Sequence, residues 1–182
     1  SNTFTGNRWS GLRQIVGVYS LVESNTFTDN INITSNSSNA GGAIYTDMPG
    51  VSILSNEITH NISTYGGGIY AQSGSPYIYD NLISYNRSHQ SGGGLYVGGS
   101  ADNSPDVIFN TITGDTSLTD MGGAIFIANT DTNRTSINMN VISEWVGHGI
   151  YGDPDSLVYN NILISIINNG ETGYSLQKTN NI

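Results

Sequence analysis

Apolar residues in this chain stand in short runs between polar ones, and they recur in two registers with no helical period. In one register an aliphatic residue sits between glycines and an aromatic ring. It reads Gly41-Gly42-Ala43-Ile44-Tyr45, Gly66-Gly67-Gly68-Ile69-Tyr70, Gly92-Gly93-Gly94-Leu95-Tyr96 and Gly122-Gly123-Ala124-Ile125-Phe126. Eroded copies follow at Gly147-His148-Gly149-Ile150-Tyr151 and Gly173-Tyr174-Ser175, and a partial copy, Gly17-Val18-Tyr19, precedes them. Aligning positions 19, 45, 70, 96, 126, 151 and 175 gives steps of 26, 25, 26, 30, 25 and 24 residues. A period in this range predicts a solenoid, in which each repeat buries its apolar side only against its neighbours.

The other register has the form Asn-x-Ile/Phe: Asn2-Thr3-Phe4, Asn25-Thr26-Phe27, Asn56-Glu57-Ile58, Asn81-Leu82-Ile83, Asn110-Thr111-Ile112 and Asn140-Val141-Ile142, with Asn160-Asn161-Ile162 and Asn180-Asn181-Ile182 extending it. In four copies another asparagine follows five places on, at Asn7, Asn30, Asn61 and Asn86. Each repeat therefore predicts a short strand around Asn-x-Ile, a polar turn, a Gly-rich approach, a strand around Ile-Tyr and a second turn. That is an all-β parallel β-helix, one domain over 1–182, of about seven coils with a period of about 25 residues. At a coil rise of about 4.8 Å the rod is about 34 Å long. Asparagines at equivalent turn positions are expected to stack into a ladder, each amide bonding turn backbone or the next asparagine.

Pro49, Pro76, Pro105 and Pro154 all fall between the aromatic anchor and the next asparagine anchor, as residues that cannot donate to a strand ladder should. Alternation along the Ile-Tyr strand points Ile44, Ile69, Leu95, Ile125 and Ile150 inward, and Tyr45, Tyr70, Tyr96, Phe126 and Tyr151 outward. An exposed aromatic ladder of this kind can stack on sugar rings or dock a partner. It can equally pack under a loop and stiffen the sheet.

These Gly-Gly-Ala-Ile and Asn-x-Phe/Ile repeats resemble the right-handed parallel β-helix superfamily, the pectate-lyase-like fold. They are most similar to repeats of bacterial and archaeal surface proteins, including adhesin-like and polymorphic outer-membrane proteins. The resemblance covers nearly the whole chain and implies the fold. It leaves activity open, because such repeats serve lyases, hydrolases, adhesins and structural proteins alike.

Composition narrows the partners. Charged residues are 10% of the chain, with 5 Lys+Arg against 14 Asp+Glu and a net charge of −9. That balance disfavours nucleic acid and anionic membrane surfaces. There is no cysteine, hence no disulfide framework, and no apolar run of the length that spans a bilayer. No signal peptide is visible, and the chain opens within a repeat. It begins and ends on an anchor, so like chains stacked end to end, or flanking β-helix coils, are the expected partners.

The aromatic-to-asparagine turns collect Asp47, Asp102, Asp106, Asp131, Asp153 and Asp155. Stacked coils bring Asp102 and Asp106 near Asp131, and Asp131 near Asp153, an oxygen-rich edge suited to calcium. The resemblance implies the same metal, since pectate-lyase-like enzymes bind calcium through acidic side chains, although no lyase motif accompanies these residues. No catalytic residue is assigned: His60, His89 and His148 occur singly, and no opposed carboxylate pair with a strong base emerges. Five Asn-x-Ser/Thr sequons, at Asn32, Asn36, Asn61, Asn86 and Asn133, are glycosylation candidates. The expectation is a non-enzymatic, extracellular structural or adhesive β-helix of a cell surface or filament. Its rival is a carbohydrate-active β-helix acting through the acidic edge and the aromatic ladder on polysaccharide.

Overall fold

The computed structural model describes residues 1–14, 19–33, 40–98, 104–128, 135–152, 157–159, 161–164 and 174–176. They form an all-β solenoid whose strands pair in parallel with their equivalents one coil away. Four sheets run along it, with seven, seven, six and four strands. One complete coil comprises Thr26–Thr28 in the first sheet, Ile31–Asn32 in the fourth, Ile44–Asp47 in the second and Val51–Leu54 in the third.

Four coils carry strands on all four faces among the described residues, fewer than the seven expected; the flanking coils lack a strand of the fourth sheet. The four-faced coil also corrects the two-strand reading. The aromatic-to-asparagine stretch is not only turn but holds the third sheet, where Tyr77–Tyr79 pairs with Asp106–Ile108. Pro76 and Pro105 stand at its entrance, their carbonyls accepting from Asp106 N (2.9 Å) and Ser136 N (2.8 Å).

The lumen is filled by three inward columns in exact register: Phe27, Ile58, Ile83, Ile112 and Ile142; Ile44, Ile69, Leu95, Ile125 and Ile150; and Ile53, Ile78, Val107 and Ile137. All are fully buried, as the alternation required. Each side chain of this size contributes about 1.5–3 kcal/mol through removal from water.

Register differs from expectation at two places. Leu12–Gln14, not Tyr19, precedes Ile44–Asp47 in the second sheet, so Arg13 is the partner of Tyr45. Tyr19 lies just before Ser20–Glu23 of the third sheet and is exposed. Near the other end Asn161, not Asn160, continues the asparagine register, because its Oδ1 accepts from Asn140 and Leu163 pairs with Ile142.

Two asparagine ladders flank the first sheet. One joins Asn2, Asn25, Asn56, Asn81, Asn110, Asn140 and Asn161; the other joins Asn7, Asn30, Asn61 and Asn86 and ends on Asp115. In each rung both the backbone N–H and the side-chain amide donate to the carbonyl Oδ1 of the next, as Asn81 does to Asn110 at 2.9 and 2.9 Å. The same Nδ2 also reaches the Ile53 carbonyl of the preceding coil and the Tyr79 carbonyl of its own. Corners that would strand buried polar backbone are thereby satisfied from within.

Immediately before these asparagines the backbone is left-handed, at Ser24, Ser55, Asp80, Phe109 and Met139 along one corner, and at Asp29, His60 and Tyr85 along the other. For a residue with a side chain this conformation costs about 1–2 kcal/mol, a cost the ladder bonds offset.

Candidate functional site

The outward face of the second sheet carries the aromatic column. Its rings lie face on face down the rod: Tyr45 on Tyr70 (5.6 Å, 16°), Tyr70 on Tyr96 (4.5 Å, 27°), Tyr96 on Phe126 (5.0 Å, 29°) and Phe126 on Tyr151 (5.9 Å, 11°). In-register parallel pairing produces this, since identical positions on adjacent coils sit one strand spacing apart. At the upper end the Arg13 guanidinium lies over Tyr45, 4.9 Å from the ring centre.

Outward does not mean exposed here. Tyr45 and Tyr70 are 2% and 4% accessible and form a second apolar cluster with Ala40, flanked by Tyr65 and Tyr96. Tyr65 packs edge-on to Tyr96 (6.0 Å, 78°), and the Tyr45 hydroxyl donates to Gln72 Oε1 at 2.6 Å. Tyr96, Phe126 and Tyr151 are half-buried. The expected open ladder is therefore half covered, because the Gly-rich approach folds Tyr65 across it.

Face-on-face stacking decides the chemistry of this surface. The ring faces that sugars stack on are occupied by neighbouring rings; edges and hydroxyls are what the column presents. Burial, reinforced by the neighbouring phenols, pushes Tyr70 well above the ordinary phenol range, and burial likewise raises Tyr96. Tyr70 and Tyr96 therefore keep their protons to a higher pH than a free phenol does. Tyr70→Ala is expected to cost about 3 kcal/mol, the scale for a buried aromatic, and Tyr151→Ala at the edge of the column clearly less. Urea unfolding midpoints of the two variants check this ordering.

Of the candidate calcium ligands, only Asp106 is among the described residues, half-buried in its third-sheet strand; Asp102, Asp131, Asp153 and Asp155 lie outside them. Among the described residues no group of three or more His, Asp or Glu side chains is placed to hold a metal ion. Asp47 is exposed and accepts from the Ser73 hydroxyl. His60 stacks on Tyr85, and His148 Nδ1 lies 2.8 Å from the Asp120 carbonyl.

The sequons are redefined by the ladders. Asn61 and Asn86 are buried rungs whose Nδ2 atoms each hold backbone carbonyls and the next rung. Asn32 is buried too, its Nδ2 donating to Ser10 Oγ and the Ala40 and Gly41 carbonyls. A glycan on any of the three would occupy the nitrogen that holds the corner. Asn36 and Asn133 lie outside the described residues.

Asp115 was not singled out in the sequence, although its place five residues after Asn110, where Asn30, Asn61 and Asn86 follow their own anchors, marks it. Arg13 was missed because its coil lacks the Gly-Gly-x-Ile-Tyr spelling.

The fold and its ladders define a parallel β-helix repeat protein. Residues 26–47 match the Chlamydia polymorphic membrane protein repeat. That segment runs from a first-sheet strand, through the second-ladder asparagine Asn30 and the glycines, to Tyr45 and Asp47 of the second sheet. The similarity points to a protein of the outer membrane or cell surface. No curated protein and no solved structure matches the chain significantly.

Proposed function

We propose that this chain is a non-enzymatic, extracellular β-helix that serves as a structural or adhesive element of a cell surface. The observation that carries this reading is the continuity of the ladders. The first amide column and the aromatic column run from coil to coil along the described rod, which builds a stiff body whose side surface repeats at each coil. Repeat architectures use such extended surfaces for binding. The half-buried edges of Tyr96, Phe126 and Tyr151 form the contact stripe in this proposal, with a surface polysaccharide or a like chain as partner.

The test is a paired assay of the purified chain against acidic and neutral polysaccharides, with calcium and with chelator. Retention on an immobilised glycan, weakened by joint Tyr96→Ser and Tyr151→Ser substitution, is expected, with no release of unsaturated or reducing ends. Turnover of any of these polymers would sink the non-enzymatic reading. Loss of retention only on chelation would move the contact to the acidic edge.

A further inference from the structure

One rung differs in chemistry from those above it. Asp115 is fully buried at the end of the second ladder, and its Oδ1 accepts from Asn86 N (2.7 Å) and Asn86 Nδ2 (3.1 Å). Its other oxygen, Oδ2, is buried and has no hydrogen-bond partner. In the rungs above, the atom at this place is an Nδ2 donor. Asn61 Nδ2 gives to Phe27 and Thr59 carbonyls, and Asn86 Nδ2 gives to the Ile58 carbonyl. Oδ2 thus stands where the rungs above place a donor, at the corner whose equivalents present backbone carbonyls. The space is closed: a Cβ built on Gly94 would lie 2.8 Å from Oδ2 and 2.9 Å from the Ala124 carbonyl.

A carboxylate supplies no donor, whereas a carboxylic acid supplies one. We propose that Asp115 is a proton-operated joint: protonated, it completes the ladder as asparagine does, and ionised, it opens the corner between the complete coils and the coils that follow. The position suits a joint. The second ladder ends here, the last fourth-sheet strand, Thr116–Ser117, begins at the next residue, and the following coil has Trp145 and Val146 at the corner with only a single bridge to Thr116. Among the described residues no charged group compensates the carboxyl. Arg87, Asp120 and Glu144 on the adjoining turns are solvent-exposed, as is Tyr85, and His148 is tied to the Asp120 carbonyl. Burial holds the Asp115 carboxyl well above the usual carboxylate range, against the opposing pull of its two bonds from Asn86.

The sign follows from linkage. The folded state keeps the proton to a higher pH than the unfolded chain does. Stability is therefore greatest below the unfolded-state value and falls as pH rises toward the folded-state value, by up to about tenfold in the folding equilibrium per pH unit. Above the folded-state value the loss is complete.

Urea unfolding of the intact chain from pH 4.5 to 8, beside Asp115→Asn, tests this. The expected result is a midpoint that falls with pH in the parent and is higher and flatter in the variant, because asparagine carries the donor permanently. The backbone amides of 135–152 should exchange with solvent faster at high pH than intrinsic chemistry explains, in the parent alone. Asn61→Asp serves as the second variant and should introduce a further pH-dependent loss. Parallel pH profiles for parent and Asp115→Asn would overturn the proposal. So would an Asp115 carboxyl 13C shift showing the ionised form in the folded protein at pH 5.

Discussion

Asn61→Ala is expected to remove about 4 kcal/mol or more, about a quarter or more of the 5–15 kcal/mol that holds a typical domain together. The side chain is small and polar, yet it sits at a junction of three coils. Its Oδ1 accepts from Asn30 N (3.1 Å) and Asn30 Nδ2 (2.8 Å); its Nδ2 serves the Phe27 and Thr59 carbonyls and Asn86 Oδ1. Alanine strips the buried Asn30 N–H of this acceptor and the Phe27 carbonyl of this donor, at about 1–3 kcal/mol for each buried group left unpaired. A small void adds to that. Substitution at the exposed neighbour His60 is expected to stay within about 0.5 kcal/mol provided the new residue tolerates left-handed backbone. Denaturant midpoints of the two variants decide the matter: equal losses would mean that the ladder contributes little.

Gly67→Ala should be at least as damaging, through a single methyl group. A Cβ at Gly67 would lie 2.3 Å from the Gly93 carbonyl oxygen and 2.6 Å from the backbone N and C of Arg87. Both obstacles are backbone of the adjacent coil, so no side chain can swing aside. Relief requires parting the coils, against the bonds from Gly67 N to the Gly92 carbonyl (3.0 Å) and Gly68 N to the Gly94 carbonyl (3.1 Å). Overpacking typically costs about 1–3 kcal/mol even where side chains can adjust, and here they cannot. Gly6→Ala is the control: it meets nothing within 4 Å, and its left-handed φ of 64° alone should cost about 1 kcal/mol. Thermal melts of both variants, with yield of folded protein, read the difference.

Much of this was legible because a solenoid writes its register repeatedly. The inward column from Ile44 to Ile150, the asparagine ladders and the parallel pairing follow from spacing alone, since identical residues one coil apart must become neighbours. The third sheet was not legible. Val51–Leu54, Tyr77–Tyr79 and Asp106–Ile108 share an inward aliphatic residue but no flanking signature, and the prolines at their entrance read as turn. Arg13 shows the converse, a position fixed by pairing with Tyr45 whose identity departs from the repeat. The burial of Tyr45 and Tyr70 depends on where Tyr65 folds, and a period carries no information about that.

The left-handed corners have a consequence for how such a rod can change. Every one of Ser24, Ser55, Asp80, Phe109 and Met139 points its side chain to solvent, as do Asp29, His60, Tyr85 and Glu144 along the opposite corner. Hydroxyl, carboxylate, imidazole, phenol, thioether and phenyl groups already occupy equivalent sites within this one chain. The backbone there belongs to the corner of the coil and not to the residue itself: it is left-handed before every ladder asparagine from Asn25 to Asn140, and also at Glu144, before Trp145. Two lengthwise tracks are thus free for rewriting while the amide spine between them stays constant. A protein displayed to a changing environment can alter what it shows along those tracks, one letter at a time, without renegotiating its fold.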